Sequence, residues 1–282
     1  MNEDILNPYA EKKSIWLKGN LHTHTLHTDG GSLEIDEVLE LYQNNDYDFI
    51  SITDYDSITE LSDRYRDLFI LKGYESTKNS HMLCIATEEV VDGSPREIIK
   101  KVNESNGISI LCHPNWKRWD YWSAEEMENL EGYTGIEVYN SVIDRMVGSS
   151  EAFDEWDYLL SIGKKVWGFA NDDFYKSEDV NKAWNVVRVE KKDEESIVNS
   201  IREGNFYIST GVNIYDIFME EDKIIVESDA DKLRFISCGR ILSEVLSSKA
   251  VFDINDFKGY LRVEAIKEDG TRAWSQPVFK PE

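Results

Sequence analysis

Hydrophobic and polar positions along the first two thirds of the chain form blocks that predict strands and helices in turn. Short apolar runs predict buried strands at residues 15–21, 49–53, 82–87, 108–112, 136–139 and 165–170. Between several of these runs, apolar positions recur every three or four residues, which predicts amphipathic helices at residues 33–44, 96–106 and 152–162. This alternation indicates a parallel α/β architecture that is closed as a barrel or nearly so.

The pattern changes after about residue 208. Apolar and polar residues then alternate singly, without a helical period, at residues 223–227, 233–237, 250–253 and 260–267, which is typical of antiparallel strands. The dipeptide Asp269-Gly270 follows one of these runs and indicates a tight hairpin turn. The pattern therefore predicts two domains, an α/β domain at residues 1–208 and an antiparallel β domain at residues 209–282.

Composition narrows the classes of protein to consider. The 282 residues include 55 Asp and Glu against 31 Lys and Arg, and the formal net charge of -24 argues against nucleic acid as a bulk partner. The cysteines are odd in number and widely spaced, so we expect buried thiols and no disulfide framework or thiolate zinc site. Because the N-terminus is polar and no segment is long and apolar enough to span a bilayer, we expect a cytoplasmic protein with no membrane partner. The sequence leaves the oligomeric state open.

The histidines lie where a metal site would need them. Three fall within residues 22–27, and His81 and His113 lie at or just beyond a predicted strand. Side chains two positions apart in an extended chain point the same way, so His22 and His24 can grip one cation. The remaining histidine of this segment, His27, is interpreted as a residue at the rim.

Two carboxylates accompany these imidazoles at strand ends. Glu75 precedes His81, and Asp173 follows the apolar run at residues 165–170. Mixed imidazole and carboxylate ligands suit zinc, manganese and iron, with coordination positions left for water. In a parallel barrel, these are positions at the mouth, where catalytic groups gather. The sequence therefore predicts a metal-dependent hydrolase site.

The same residues belong to motifs that appear in a fixed order, LHTHTLHTDG, ISITDYDSIT, GYESTKNSH, ILCHPNW, IEVYN and GFANDDFY. In this order they resemble the PHP (polymerase and histidinol phosphatase) superfamily of metal-dependent phosphoesterases over roughly the first two thirds of the chain. FYISTG and AWSQPVF are similar to a two-domain subgroup with a C-terminal β module. The resemblance implies a distorted seven-stranded β/α barrel, similar to a TIM barrel, with metal ions at its mouth.

The resemblance also implies which residues hold the metals. It assigns the ligands of two divalent ions, zinc, manganese or iron, to His22, His24, Glu75, His81, His113 and Asp173. Glu75 would bridge the two ions. Such a pair would lower the pKa of a bound water from about 15.7 towards 7 and so provide the nucleophile for hydrolysis.

A third metal position of the family is altered in this chain. Asp29 is retained there, but Tyr55 and Tyr175 stand where the family has histidines. We therefore expect a dinuclear site with a remodelled third position. The phenols could donate hydrogen bonds to a substrate oxygen or a water, they could fill the space that the imidazoles left, or they could bind ferric iron as tyrosinates.

Basic residues near the motifs are candidates for binding a phosphate. Lys117 and Arg118 directly follow the motif ILCHPNW, and Arg145 is a further candidate. Asn171 is a candidate for substrate binding, and together with Asp172 it is also a candidate for orienting the metal ligands. Surface basic residues often have no specific role, and that interpretation of Lys117 and Arg118 stays open.

These observations lead to three hypotheses about function. The first is a phosphoesterase that hydrolyses a small phosphorylated substrate, such as a nucleotide or a sugar phosphate, with a metal-activated water. The second is a metal-dependent hydrolase of a non-phosphate ester or amide, which the same two ions could support. The third is a metal-stabilised binding protein that has lost turnover.

Overall fold

The computed structural model describes residues 5–10, 15–60, 67–116 and 122–280 as a mixed α/β fold with an all-β C-terminal region. The strands are β1 (Ile15–Asn20), β2 (Phe49–Ile52), β3 (Phe69–Ser76), β4 (Met82–Ile85), β5 (Ile108–Leu111), β6 (Gly135–Asn140), β7 (Trp167–Asn171), β8 (Trp184–Val189), β9 (Phe206–Ser209), β10 (Ile214–Glu220), β11 (Lys223–Ser228), β12 (Lys232–Ser237), β13 (Arg240–Val245), β14 (Lys249–Asp253), β15 (Gly259–Ile266), β16 (Arg272–Ser275) and β17 (Val278–Lys280). The α-helices are α1 (Ile35–Gln43), α2 (Pro95–Glu104), α3 (Ala124–Asn129), α4 (Phe153–Ser161) and α5 (Glu194–Arg202).

One long sheet contains most of these strands. Its order is β13-β12-β15-β16-β9-β8-β1-β2-β3-β4-β5-β6-β7, with β17 also paired to β15. A smaller sheet has the order β10-β11-β14. The metal-site candidates lie on or just after strands at the β1 to β7 end of the long sheet.

The strands and helices predicted from the sequence are confirmed to within a few residues, but the prediction that the first region is parallel throughout is wrong in two places. Strand β4 runs antiparallel to both β3 and β5, and β8 runs antiparallel to β1. The first reversal has a simple cause. Only residues 77–81 separate β3 from β4, whereas a crossover between parallel strands needs about a dozen residues or more.

Strands β7 and β8, between which the predicted barrel would close, are joined by a side chain. Within the described ranges, β7 forms a backbone ladder with β6 only. Asn185 on β8 reaches β7 from the other side, where its Nδ2 donates to the carbonyl of Ala170 at 2.9 Å and its Oδ1 accepts from the Ala170 N–H at 3.3 Å. The closed seven-stranded barrel therefore stays a prediction, while the mixed α/β sheet is established.

The core explains why these segments form. Strands β2, β4, β5 and β7 are buried at every position, as expected when both faces of a sheet are covered. Helix α2 begins with a capping box between Ser94 and Glu97 and turns Ile98, Ile99 and Val102 inward. The site is thus built on strands and helices whose inward-facing side chains are buried.

The long sheet continues into the C-terminal region. Strand β9 pairs with β8 on one side and with β16 on the other, so backbone hydrogen bonds cross the predicted boundary between residues 208 and 209. The Asp269-Gly270 pair lies in the connection between β15 and β16, as the sequence predicted. The division into two domains itself stays a prediction.

Two further sequence expectations concern cysteines and membranes. Cys84 and Cys112 are buried free thiols. Cys238 is exposed, contrary to the expectation, because it lies with Gly239 in the short turn between β12 and β13. Among the described residues, no helix combines the length and the apolar character that a bilayer span requires.

A buried ion pair connects α4 to the C-terminal region. Arg262 on β15 donates to both carboxylate oxygens of Asp157, at 2.8 and 2.7 Å, and the Tyr260 hydroxyl donates to the same carboxylate at 2.6 Å. Both members of the ion pair are almost fully buried. Removing one partner would leave the other charge buried without compensation, which is far more costly than losing the pair as a whole.

We therefore expect Asp157→Ala to lower the free energy of unfolding by about 3–5 kcal/mol. The double variant Asp157→Leu with Arg262→Met should lose clearly less, because no unpaired charge remains. Urea denaturation measures both, and Glu88→Gln, which breaks the exposed pair of Glu88 with Lys72, serves as the control that should change little. An equal loss in the single and double variants would contradict this account.

Candidate metal centre

The segment after β1 places two imidazoles side by side. Thr23 forms a parallel bridge with Phe174, and its N–H and carbonyl bond to the hydroxyl and N–H of Thr53 at 3.0 and 2.8 Å. Thr23 is thus held between two neighbouring segments, and His22 and His24 on either side of it are fully buried. Their ring centroids lie 5.0 Å apart. The prediction that these two side chains share one direction agrees with this geometry.

The carboxylate of Glu75, near the end of β3, lies among four imidazoles. Its Oε2 is 3.1 Å from His22 Nε2 and 3.2 Å from His24 Nε2. Its Oε1 is 2.7 Å from His81 Nδ1 and 3.6 Å from His113 Nε2. Each oxygen of Glu75 therefore faces a different pair of histidines.

Asp173 completes the first of these pairs. Its Oδ1 lies 3.2 Å from His22 Nε2 and 3.3 Å from His24 Nε2. The described residues form four groups of potential ligand atoms that lie within 4.8 Å of one another, and two of these groups consist of predicted ligands alone. They are His22, His24 and Asp173 in the first group, and Glu75, His81 and His113 in the second. The structure thus brings together all six residues that the sequence singled out as metal ligands.

The unsatisfied atoms in this cluster fit metal ions. His24 Nε2 and Asp173 Oδ1 are buried and face each other, yet neither has a hydrogen-bond partner of acceptable geometry in the described part of the chain. A buried polar atom without a partner is costly, and it is rare outside functional sites. Imidazole nitrogens and carboxylate oxygens in this arrangement are the donors that zinc, manganese and iron accept.

The pKa shifts of the clustered side chains also favour a bound cation. Burial opposes charge on His22, but the carboxylates of Asp173, Glu137 and Glu75 outweigh it and raise the pKa of His22 well above its usual value. Conversely, burial disfavours the ionised form of Asp173, yet the neighbouring imidazoles lower its pKa to about 2. Without a metal, this cluster therefore needs protons on its imidazoles to balance its carboxylates, and a cation can replace those protons.

Two of the candidate ligands have an unusual backbone conformation. His113 has φ 30° and Asp173 has φ 53°, in the left-handed region that costs a non-glycine residue about 1–3 kcal/mol. Such conformations persist only where the surroundings enforce them, and they are concentrated at functional sites. In both cases the conformation turns a side chain from the end of a strand into the cluster.

Glu137, in the middle of β6, is a buried residue of the candidate site that the sequence did not point out. Its Oε1 lies 2.8 Å from His22 Nδ1, and its Oε2 accepts the backbone N–H of His113 at 2.9 Å. The amides of Asn171 and Asn140 donate to the same carboxylate. Glu137 thus leaves Nε2 of His22 facing Glu75 and Asp173. The signal was a charged residue inside the buried strand IEVYN.

A second support holds His24, and the sequence reasoning missed it too. Asp54 accepts hydrogen bonds from Thr25, Thr28 and Thr59 at 2.6–2.8 Å. The hydroxyl of Thr28 also lies 3.3 Å from His24 Nδ1. Burial would raise the pKa of Asp54, but these hydrogen bonds lower it, so the carboxylate is a fixed anion that orders the loop.

The two tyrosines lie directly against the cluster. Their hydroxyl oxygens are 2.5 Å apart. The ring of Tyr175 is 4.5 Å from that of His24, and the ring of Tyr55 is 5.0 Å from His24 and 5.7 Å from His81. Asp29, the remaining residue of the predicted third position, is exposed and belongs to none of the four candidate metal groups among the described residues.

Of the three basic residues predicted to bind phosphate, Arg145 is the one that the structure describes, and it pairs with a carboxylate outside the six candidate ligands. Lys117 and Arg118 lie outside the described residues. Arg145 forms a bidentate ion pair with Asp179, in which Nη2 and Nε of Arg145 lie 2.9 and 3.2 Å from the two carboxylate oxygens. Asp179 also accepts the N–H of Tyr175 at 3.1 Å. Arg145 therefore supports the segment that carries Tyr175.

Asn171 also occupies a different place from the substrate contact that the sequence suggested. It is fully buried, and its amide bonds to Glu137, the Leu21 N–H and Asn185. Its neighbour Asp172 is also buried, which raises the pKa of that carboxyl to about 6 although three backbone N–H groups donate to it. Both residues thus support the ligand segment, which was the alternative role considered for them.

Two other residues near the cluster are poorer candidates. His27 is largely exposed and lies 3.8 Å from the Asp54 carboxylate, consistent with a rim position. Cys112 belongs to two of the candidate metal groups, but burial raises the pKa of its thiol well above the usual value. Because metals bind the thiolate, a thiol that keeps its proton is a weak ligand.

One solved structure shares the overall fold of this chain. A two-domain protein from Bacteroides vulgatus that contains a predicted PHP-like metal-dependent phosphoesterase matches with a TM-score of 0.56 and 13% identity, over 98% of this chain and 88% of that chain. The lesion-specific endonuclease PfuEndoQ from Pyrococcus furiosus matches with a TM-score of 0.48 and 15% identity, over 67% of this chain and 56% of that chain. No protein family and no curated protein matches the sequence. The first match confirms the PHP resemblance at the level of the fold.

Glu137 provides the first test of the site. We expect Glu137→Gln to weaken binding of zinc or manganese by about 10- to 100-fold, because the amide holds His22 less firmly and donates where the carboxylate accepted. Isothermal titration calorimetry measures the affinity, and Glu131→Gln, a change at a surface carboxylate, is the control. Unchanged affinity in a folded Glu137→Gln variant would refute the supporting role.

The raised pKa values of His22 and His24 predict how metal binding depends on pH. Since an ion must displace protons that these imidazoles hold above pH 6.5, the affinity should rise with pH by up to about tenfold per unit for each displaced proton. In the metal-free protein, the imidazolium contacts should stabilise the fold at low pH and be lost as pH rises through the raised pKa of His22. Calorimetry in buffers of different ionisation enthalpy counts the released protons, and an affinity independent of pH would contradict the prediction.

Proposed function

We propose that this protein is a metal-dependent phosphoesterase that hydrolyses a small phosphorylated substrate, a sugar phosphate or a nucleotide, at a dinuclear site. The observation that carries the proposal is the position of Glu75, whose two oxygens face two separate groups of potential ligands. A carboxylate in this position can bridge two cations. The fold shared with a PHP-like protein supports the same interpretation.

In this proposal each residue has a defined task. His22, His24 and Asp173 would hold one ion, His81 and His113 would hold the other, and Glu75 could serve both. Two bound divalent ions would supply Lewis acidity and would lower the pKa of a bound water molecule towards neutrality. Glu137 and Thr28 keep the imidazole rings of His22 and His24 in fixed orientations.

The burial of the cluster limits the direction from which substrate can approach. The side chains of His22 and His24 are completely buried, whereas that of His81 is 13% exposed. Tyr55 lies half-buried beside His81. We infer that the phosphate enters over His81 and Tyr55, the side on which the described residues leave the cluster partly exposed.

The proposal also covers the wider chain. With a net charge of -24, the protein needs local cations to attract an anionic substrate, so the metal ions and the predicted contacts of Lys117 and Arg118 carry that task. A small substrate is favoured over a long polyanion for the same reason.

We retain the cytoplasmic location, the barrel at residues 1–208 and the β domain at residues 209–282 as parts of this proposal.

The decisive test compares the metal-loaded protein with His113→Ala. We expect two tightly bound ions per chain in the unmodified protein, one fewer in the variant, and a loss of phosphatase activity of at least about a hundredfold. Elemental analysis and a panel of sugar phosphates, nucleotides and carboxylic esters provide the readouts. His27→Ala, at the exposed histidine, should behave as the unmodified protein.

Other outcomes would favour the other hypotheses. Hydrolysis of carboxylic esters or amides without hydrolysis of phosphate esters would favour the non-phosphate hydrolase. If the metal-loaded protein hydrolyses nothing in the panel, and His113→Ala lowers its melting temperature strongly, the metals stabilise a binding protein.

A further inference from the structure

The two tyrosine hydroxyls at the cluster form a closely spaced pair. Tyr55 and Tyr175 contribute one hydroxyl hydrogen each, and their oxygens are 2.5 Å apart. One hydrogen lies between the two oxygens. The second must therefore point away from the bond between them.

The backbone holds both tyrosines in place. The Tyr55 N–H donates to the Thr28 hydroxyl at 3.1 Å, and Tyr55 forms a bridge with Glu75. The Tyr175 carbonyl accepts both the N–H and the hydroxyl of Ser32, at 2.9 and 2.8 Å. A donor that is fixed before the substrate arrives needs little reorganisation during the reaction.

Position distinguishes the two residues. Both tyrosines are half-buried, and the Tyr175 ring lies against the ring of His24, whose side chain is fully buried. The Tyr55 ring contacts both His24 and His81, so it spans the two groups of potential ligands on the side where His81 is exposed. The second hydrogen is best placed for a ligand if Tyr175 donates to Tyr55, since a hydroxyl that accepts a hydrogen bond becomes a stronger donor.

Resting on the proposed function, we propose that Tyr55 donates a hydrogen bond to a non-bridging phosphoryl oxygen of the substrate and that Tyr175 positions and polarises it. Packing alone does not call for two hydroxyls here, because phenylalanine rings would fill the same space. The hydrogen bond adds directional stabilisation for an oxyanion without a third cation. The substrate class is a phosphate ester with at least one oxygen that the two ions leave available.

Phosphate binding tests this without relying on turnover. Inorganic phosphate is titrated into the metal-loaded protein by calorimetry, together with elemental analysis of every variant. We expect Tyr55→Phe to weaken phosphate binding by about 10- to 100-fold, as for a hydrogen bond to a charged group. Tyr175→Phe should weaken it by a smaller factor of about 3 to 10, and the double variant should be no weaker than Tyr55→Phe alone.

All variants should keep the metal content of the unmodified protein. Tyr158→Phe, which removes a hydroxyl from the outer surface, is the matched control. Unchanged phosphate binding in Tyr55→Phe would overturn the inference in favour of packing. Loss of a bound ion from Tyr55→Phe, or a visible ferric tyrosinate band that disappears in the variants, would overturn it in favour of metal ligation.

The two proposals can fail separately. If the unmodified protein binds phosphate through Tyr55 but hydrolyses no phosphate ester, the proposed function falls and the inference stands. If it hydrolyses phosphate esters while Tyr55→Phe binds phosphate equally well, the inference falls and the function stands. Absence of phosphate binding by the metal-loaded unmodified protein also overturns the inference.

Discussion

A single buried carboxylate, that of Glu75, imposes the main constraint on this structure. Four imidazoles surround it within 3.6 Å, in a place from which water is nearly excluded. A charged group in such surroundings is tolerated only if opposite charge compensates it. Protons on the histidines can supply that charge, and so can cations. The buried carboxylates are therefore tolerated only while their positively charged partners are present. This requirement explains why carboxylates and imidazoles occur together in one cluster.

The scaffold holds this cluster at some cost to itself. His113 and Asp173 adopt left-handed backbone conformations, and His24 Nε2 is left without a hydrogen bond among the described residues. Strain of this kind must be offset by the surrounding structure. Glu137 bonds to side chains and backbone from several strands, so that one carboxylate restrains both halves of the cluster. Part of the folding free energy of the β1 to β7 region therefore offsets the strain of holding the site in place.

The sequence predicted the ligands better than their supports, for a physical reason. His22, His24 and Asp173 lie at the ends of apolar runs, where local pattern alone marks them. Glu137 matters because it contacts His22, which is 115 positions away in the sequence. No local sequence pattern can reveal such a long-range contact. Strand β3 was missed because Lys72 and Gly73 interrupt its apolar run, and the reversal at β4 depends on a loop length that propensities do not register.

The C-terminal region shares the long sheet with the strands that carry the site, and both regions line one cavity. A cavity of about 550 Å³ lies beside the ends of β6 and β7, lined by Tyr139, Arg145 and Lys176 on one side and by the hairpin residues 269–271 on the other. Strands β6 and β7 also carry Glu137 and lead to Asp173. Strand β16, which follows the hairpin, pairs with β9, and Gln276 just after β16 bonds to the backbone N–H and carbonyl of Gly168 on β7. The hairpin at residues 269–271 thus connects two strands of the sheet whose β1 to β7 end carries the cluster.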